Sequence, residues 1–239
     1  MPNLYKHLDI SQKEIDKASK TLGSYPSEMS EGFLDAPFDE KSIKTVIELK
    51  EKLITDNLKY IVVVGIGGSN LGAKAIYDAT YGYFDKFETE RFPKIIFLDT
   101  INPEKFDKVK NLLKSVNEPN EIIVNVISKS GTTLETITNF ENLLKEIPTI
   151  ESRLVITTGK DSEFYNRAQK LNLKTLIVPE NIGGRFSVFT PIGLFPLACL
   201  GIDIIEILEG AMDATKEDKP VNSAAFLQKN YLAGKIIHE

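Results

Sequence analysis

Five short segments rich in Ile and Val recur along the sequence, and the stretch between each pair is long enough for a helix. The segments are YIVVV (60–64), KIIFL (94–98), EIIVNVI (121–127), RLVIT (153–157) and KTLIV (174–178). Short apolar runs of this kind are typical of strands that are buried on both faces of a parallel sheet. Helical patterns occupy 70–80, 103–115, 133–146 and 161–171. The alternation predicts an α/β fold, a doubly wound five-stranded parallel sheet between two layers of helices.

Further helices are predicted on both sides of this alternation. Ser11 and Glu14 have the spacing of a capping box, which predicts a short helix over 11–22. Apolar residues at helical spacing predict another helix from about 41 to 56. Beyond residue 180, TPIGLFPLACLG predicts a buried helix and DIIEILEGAMDATKE an amphipathic one.

A last helix is predicted to begin near KPVNS and to stay apolar as far as Ile236 and Ile237. Because natural chain ends usually fray into polar residues, this apolar end predicts a chain that is cut within an element. We therefore expect three parts. They are an N-terminal helical arm and loop at 1–38, an α/β domain at 39–215, and the start of a second domain or a connecting helix at 216–239.

The composition argues against several classes of protein. Lys and Arg number 29 against 34 Asp and Glu, so a basic surface for nucleic acid is not expected and any anion site must be local. One cysteine and two histidines cannot make a zinc site alone. Cys199 lies in an apolar run, and we expect it to be a small buried side chain in a reducing, cytoplasmic protein. Neither a signal peptide nor a membrane span is predicted.

Glycine and serine follow the first predicted strand. The sequence GIGGSN (65–70), called here the first loop, leads directly into a predicted helix. Glycine lets the backbone turn tightly and approach a ligand closely, and the free N–H groups at a helix start attract phosphate or carboxylate. Ser69 and Asn70 are suitable N-cap residues. The spacing matches neither the dinucleotide fingerprint nor the P-loop, and a tight turn without a ligand is the alternative.

A second loop, SKSGTT (128–133), follows the third predicted strand. Gly131 permits the turn and Lys129 carries a charge. Hydroxyl groups come from Ser128, Ser130, Thr132 and Thr133. We expect Thr132 or Thr133 to cap the next helix. Several hydroxyls beside helix N–H groups suit a phosphate monoester, which has three strong acceptor oxygens. The alternative is a capped helix start with a lysine that faces solvent.

The third loop is NIGGRFS (181–187), which follows the fifth predicted strand. Its two glycines let the backbone pass close to another group while Arg185 points inward. A fixed cation beside a sugar could stabilise an oxyanion as it forms. An arginine that pairs with a structural carboxylate is an equally good interpretation of this segment alone.

The segments GIGGSNLG, SKSGTTLET and GGRFS, in this order and at these separations, resemble the phosphoglucose isomerase family. NPEKF after the second strand fits too, and GGRFS followed by TPIG is the most specific part. The similarity runs from about residue 30 to the end, although other sugar-isomerase (SIS) domains share the second loop. It implies a SIS-type, three-layer α/β/α fold. It also implies an enzyme that interconverts glucose 6-phosphate and fructose 6-phosphate through a cis-enediol, without a cofactor.

The resemblance also implies roles for individual residues. The substrate-binding positions are Gly68, Ser69, Ser128, Lys129, Ser130, Thr133 and Gly184. The hydroxyls of the second loop would bind the phosphate, with Lys129 beside them. Gly184 and Arg185 would lie by the reacting carbons, where Arg185 is the catalytic residue that stabilises the enediolate. The chain departs from many members in having Ser130–Gly131 instead of Thr-Phe, which keeps the hydroxyl.

Other catalytic groups of the family lie in the second half of longer chains. They are a glutamate base, a ring-opening histidine and a lysine near the C-terminus, and neither His7 nor His238 matches the motif positions. The resemblance therefore implies an N-terminal half that is inactive alone. It implies a complete enzyme of glycolysis and gluconeogenesis that is a cytoplasmic homodimer acting on a hexose 6-phosphate, with no nucleic acid or membrane partner.

Three other interpretations remain at this point. A stand-alone SIS module that senses a sugar phosphate would explain the loops and the missing base. An isomerase of amino-sugar phosphates should carry a different second loop and has no reason for GGRFS. A structural protein would leave the three Gly-rich loops unexplained.

Overall fold

The computed structural model describes residues 10–23, 32–215 and 219–235. The chain forms two compact units. One contains the helices α1 (Gln12–Gly23) and α10 (Lys219–Leu232), and the other consists of residues 32–208. The domain limits expected from the sequence, at residues 38 and 215, stay a prediction.

A five-stranded parallel sheet forms the centre of the larger unit. The strands are β1 (Tyr60–Val64), β2 (Lys94–Leu98), β3 (Ile122–Ser128), β4 (Leu154–Gly159) and β5 (Lys174–Val178). Their order in the sheet is β2-β1-β3-β4-β5, and every pair is parallel. The predicted α/β fold is confirmed, and the predicted strands lie within two residues of the observed ones.

Helices cover both faces of the sheet. In this unit they are α2 (Gly32–Asp35), α3 (Glu40–Leu53), α4 (Leu71–Thr80), α5 (Pro103–Ser115), α6 (Leu134–Glu146), α7 (Glu163–Lys170) and α8 (Pro191–Cys199). One apolar core joins α5, α6 and α7 to alternate residues of β1, β3 and β4. The remaining strand residues, such as Ile61 and Ile123, are equally buried and face the other layer, where α8 packs against α3, α4 and β1. This arrangement is the expected three-layer fold.

Two helices are shorter than predicted because of local backbone geometry. Helix α7 begins at Glu163, not at 161, because Asp161 has a φ of 61° and Ser162 is the N-cap that accepts a hydrogen bond from the Tyr165 N–H. Helix α3 ends at Leu53, since Ile54 is already extended. The predicted amphipathic helix, α9 (Ile204–Thr215), agrees with its pattern, and the division between the two units falls within it.

In the smaller unit, α1 packs against α10. The predicted capping box is confirmed, because the Glu14 carboxylate accepts hydrogen bonds from the backbone N–H (2.7 Å) and the hydroxyl (2.8 Å) of Ser11. The prediction that the last helix continues through Ile236 was wrong. Helix α10 ends at Leu232, where Gly234 has a φ of 78° and the Lys235 N–H bonds the Asn230 carbonyl, a glycine-terminated helix end. Ile236, Ile237, His7 and His238 lie outside the described residues.

Arg153 joins three elements at the amino edge of the sheet. Its side chain is buried, and its guanidinium donates to the carbonyls of Ile122 (2.8 Å) and Leu53 (2.5 Å). Leu53 is the last residue of α3, so the arginine satisfies a carbonyl that the helix itself leaves unpaired. This charge therefore fixes the end of α3 to the start of β3 and β4.

We expect Arg153→Met to lower the free energy of unfolding by about 2–4 kcal/mol, because it leaves buried carbonyls without their donor. Urea denaturation followed by circular dichroism measures the change. The control is Arg167→Met, which removes a half-exposed ion pair with Glu141 and should cost less than about 1 kcal/mol. Equal losses in the two variants would contradict the assigned role of Arg153.

A second buried charge organises the segment between α4 and β2. Asp85 is 2% exposed, and its carboxylate accepts hydrogen bonds from Arg91, Lys94 and the Tyr77 hydroxyl. The Arg91 guanidinium, followed by the other donors, lowers the pKa of Asp85 from its usual 3.8 to about 2 although burial opposes this change. The guanidinium also lies 4.0 Å from the centre of the Tyr81 ring. The charge network thus holds the connection to the edge strand β2.

The lowered pKa predicts how Asp85 contributes to stability at different pH values. The contribution is complete above the pKa of the unfolded chain and is lost as the pH falls towards about 2. We expect Asp85→Asn to be about 2 kcal/mol less stable than the native chain at pH 7, a difference that shrinks as the pH falls below about 4. Urea midpoints measured from pH 7 to 3 test this. The exposed Asp107→Asn variant should show a small difference at every pH.

Cys199 is buried at the end of α8, as predicted, and burial raises the pKa of its thiol to about 12. It is therefore uncharged at neutral pH and is a poor nucleophile. Across the part of the chain that the structure describes, no helix is both long and apolar enough to cross a membrane.

Candidate functional site

The first and second loops leave neighbouring strands at one edge of the sheet. Strands β1 and β3 pair directly, with Val64 beside Val126, and the chain leaves them towards opposite sides of the sheet order. The region beyond the carboxyl ends of two such strands is the position at which open α/β sheets bind ligands. Both loops lie at this position, as their places after predicted strands had indicated.

The first loop makes a tight turn before α4. Gly67 has a φ of 58°, a conformation that favours glycine, and the Asn70 N–H closes the turn on the Gly67 carbonyl. Ser69 lies half-buried on this turn. Asn70 is the N-cap residue but its side chain does not cap the helix. This amide is 1% exposed, and neither its nitrogen nor its oxygen has a partner among the described residues.

Hydroxyl groups of the second loop form two hydrogen-bonded pairs. The Ser128 hydroxyl is buried and donates to the Thr133 hydroxyl at 3.0 Å, while the Gly131 N–H donates to Ser128 Oγ at 3.2 Å. The backbone N–H and the hydroxyl of Thr132 both donate to the exposed Ser130 hydroxyl. Because Thr133 accepts from Ser128, its own proton is directed elsewhere, and no acceptor for it lies among the described residues.

Thr133 occupies the N-cap position of α6, as one of the two predicted cap residues, but its hydroxyl makes no capping bond. The first N–H groups of α6 are therefore not satisfied by this side chain. A hydroxyl that can donate and the start of a 13-residue helix lie side by side. Such an arrangement favours an anion with several acceptor oxygens.

The third loop contacts the first loop directly. The Ser187 hydroxyl is buried and bonds the carbonyls of Gly184 (2.6 Å) and Gly68 (3.3 Å). Gly68 lies close to the backbone of the third loop. A Cβ atom added to Gly68 would overlap the Gly184 carbonyl and lie 2.7 Å from the backbone nitrogen of Arg185. Sequence reasoning assigned Ser187 no role of its own. Its position in GGRFS was the available signal, but its partner 119 residues away could not be inferred.

Lys129 connects the second loop with the third. Its ammonium donates to the carbonyls of Glu180 and Ile182, each at 2.7 Å. The predicted alternative, a lysine that faces solvent, does not describe this arrangement. The backbone carbonyl of Lys129 also accepts from the Gly159 N–H at 3.0 Å, which ties the second loop to the end of β4.

Arg185 lies exposed on a short helical turn, Gly184–Phe186. It makes no ion pair or hydrogen bond with any residue that the structure describes, so the alternative of a structural carboxylate partner has no support there. The next residue, Phe186, stacks on Phe33 with ring centres 5.0 Å apart. The Arg185 guanidinium is thus a charge available to a ligand. The residues on either side of it are packed, Gly184 against Gly68 and Phe186 against Phe33.

The site contains hydroxyls, backbone N–H groups and one exposed guanidinium. Over the described ranges, no group of three or more His, Cys, Asp or Glu side chains is arranged to hold a metal ion. The arrangement is suited to bind an anion at the start of α6 and to stabilise negative charge near Arg185. Proton transfer needs a further group, because hydroxyls and a guanidinium are poor general bases.

The sequence matches the family model for phosphoglucose isomerase over residues 48–231. A glucose-6-phosphate isomerase from Streptococcus pyogenes serotype M3 is 37% identical over 224 residues, which cover 88% of this chain and 49% of the relative. A second relative from serotype M5 is 36% identical over the same length. The chain thus spans about half the length of the curated relatives it matches.

Solved structures show the same fold. A Thermus thermophilus protein described as hypothetical aligns with a TM-score of 0.75 and 29% identity, over 90% of this chain and 52% of that one. A glucose-6-phosphate isomerase from Chlamydia trachomatis aligns with a TM-score of 0.61 and 29% identity, over 77% of this chain and 37% of that one.

The contact between Gly68 and Gly184 predicts that a methyl group added at Gly68 lowers stability more than one added at Gly184. Gly68→Ala forces a Cβ atom into the third loop and should lower the free energy of unfolding by about 1–3 kcal/mol. Gly184→Ala is the matched control, since its Cβ would meet no atom within 4 Å. Thermal unfolding of both variants measures the difference. Similar melting temperatures would mean that the two loops do not touch as described.

Proposed function

The chain belongs to the phosphoglucose isomerase family, and we propose that it supplies the sugar-phosphate-binding half of an enzyme that interconverts glucose 6-phosphate and fructose 6-phosphate. The observation that carries the proposal is the pair of hydroxyls, Ser128 and Thr133, at the start of α6. They lie at and just beyond the carboxyl end of β3, the strand that pairs with β1, which the first loop follows.

The second loop is the proposed phosphate site. The Ser128 hydroxyl orients the Thr133 hydroxyl, so that the latter donates to a phosphate oxygen. Free N–H groups and the positive end of the α6 dipole add to this attraction. Ser130 is exposed next to Lys129 in the same loop, and Ser69 of the first loop is half-buried after the neighbouring strand β1. A phosphate monoester has enough acceptor oxygens to use several of these donors at once.

The third loop is the proposed site of the reacting carbons. Isomerisation moves a proton between C2 and C1 of the open-chain sugar, and the oxygens of the enediol intermediate carry the negative charge that develops. Arg185 has a guanidinium without a protein partner among the described residues, and Gly184 brings the backbone of this loop against Gly68. We infer that Arg185 stabilises the enediolate, since a fixed cation is most effective where charge appears during the reaction.

The proton transfer itself requires a general base of suitable geometry and pKa. The family resemblance assigns it to a glutamate of the second half of longer chains. We therefore propose that this chain alone binds a hexose 6-phosphate without isomerising it. Positioning and charge stabilisation give little acceleration when no group takes the proton. That the complete enzyme is a cytoplasmic homodimer of glycolysis and gluconeogenesis stays a prediction.

Calorimetric titration of this chain with fructose 6-phosphate tests the proposal. Fructose and inorganic phosphate are titrated in parallel. We expect the phosphorylated sugar to bind and fructose not to bind. Ser128→Ala and Thr133→Val should each weaken binding about tenfold to a hundredfold, because each removes a hydroxyl from the phosphate site.

The matched control is Ser115→Ala, which removes a hydroxyl bond to Leu112 at the far end of α5. It should leave the affinity unchanged. A coupled assay for glucose 6-phosphate should detect no turnover by the isolated chain. Equal binding of fructose and fructose 6-phosphate, or equal effects of the site variants and the control, would contradict the phosphate assignment. Measurable isomerisation would contradict the missing base.

A further inference from the structure

We propose that Lys129 is a positioning residue that holds the third loop, and Arg185 with it, in register with the second loop. Its ammonium would do this through the backbone of the third loop and not through the phosphate of the sugar. The inference rests on the proposed function in one respect: the placement of Arg185 matters only if Arg185 acts on the sugar. Whether Lys129 anchors the third loop to the second can be tested without any ligand.

The geometry of the ammonium carries this inference. Lys129 Nζ lies 2.7 Å from two carbonyl oxygens, those of Glu180 and Ile182. An ammonium has three N–H donors and no acceptor, so two of its three hydrogen bonds are used within the chain. A hydrogen bond from a charged donor is stronger than one between neutral groups. The half-buried position of Lys129 reduces competition from water.

Lys129 is itself held in place by its own backbone. It directly follows Ser128, the last residue of β3, and its carbonyl accepts from the Gly159 N–H at the end of β4. The backbone of Lys129 is therefore fixed to two inner strands of the sheet, β3 by the chain and β4 by a hydrogen bond. The side chain reaches the segment just after β5, the edge strand. The lysine joins the phosphate-binding region to a segment 51–53 residues further along the chain.

The third loop needs such an anchor because its own sequence restrains it weakly. Gly183 and Gly184 have the largest backbone freedom of all residue types. The end of the loop is fixed by Ser187, which bonds the Gly68 carbonyl, and by the stacking of Phe186 on Phe33. The bonds from Lys129 fix its beginning. Arg185 lies between these two anchors, so its backbone is held from both ends.

This arrangement predicts that inorganic phosphate and a sugar phosphate depend differently on Lys129. A bare phosphate needs only the donors of the first and second loops, which remain when the ammonium is removed. The sugar of a sugar phosphate also reaches the third loop, where Arg185 donates to its oxygens in the bound state as well as in the enediolate. Loss of the anchor should therefore weaken the sugar phosphate more than inorganic phosphate, and the loss should depend on the presence of Arg185.

The test compares Lys129→Met, a side chain of similar length without the charge, with Lys160→Met as the matched control. Lys160 is an exposed lysine that follows β4. Hydrogen exchange is measured first, without ligand, at the amides of Ile182 and Phe186, which are hydrogen-bonded within this segment. We expect exchange at Ile182 and Phe186 to be at least about tenfold faster in Lys129→Met and unchanged in the control.

Titrations with fructose 6-phosphate and inorganic phosphate then follow. In Lys129→Met the affinity for fructose 6-phosphate should fall about tenfold, whereas that for inorganic phosphate changes less than about twofold. The double variant Lys129→Met/Arg185→Ala should bind fructose 6-phosphate as Arg185→Ala does, because the anchor acts through the arginine.

Each outcome decides the proposal. Unchanged exchange in Lys129→Met overturns the anchor, whatever the chain binds. Equal weakening of both ligands overturns it too, since it would mean a direct contact between the ammonium and the phosphate. Faster exchange together with selective loss of the sugar phosphate supports it. Faster exchange in a chain that binds neither ligand supports the anchor and contradicts the proposed function of the isolated chain.

Discussion

Strand β1 pairs in parallel with both β2 and β3, and this pairing sets where the first and second loops lie. Val64 lies beside Leu98 on one side and Val126 on the other, so β1 and β2 end level and β3 continues two residues further, to Ser128. In a parallel sheet all carboxyl ends share one edge, and the loops that follow them must meet there.

The third loop reaches this site by a longer route. It follows β5, the edge strand, whereas its contact partner Gly68 follows β1, three positions away in the sheet order. Two glycines allow the close approach of the two backbones, and hydrogen bonds from Ser187 and Lys129 fix it. Helix α8 then packs on both β1 and β5 beneath the loops. A fully buried helix thus supports the loop that carries the proposed catalytic arginine.

Sequence patterns were most accurate where neighbouring residues decide the outcome. The five strands and the helices between them follow from apolar periodicity, and the capping box at Ser11 follows from a spacing of three residues. The errors lie at element ends. Helix α10 ends at Leu232, although Ile236 and Ile237 follow, because Gly234 adopts a positive φ that ends a helix. Thr133 is at the N-cap as one of two candidates, but its hydroxyl accepts from Ser128 instead.

Local sequence was enough to establish the class of fold, the two loops that follow β1 and β3 and the chemistry of their side chains, since turns, caps and periodicity depend on residues close along the chain. The strand order, the burial of Arg153 under α3, and the partners of Lys129 and Ser187 depended instead on the folded chain. The contacts of Lys129, of Arg153 with Leu53 and of Ser187 with Gly68 join residues 51 to 119 positions apart. Their physical basis is the packing of the whole sheet, which brings distant loops to one edge and leaves no trace in local spacing.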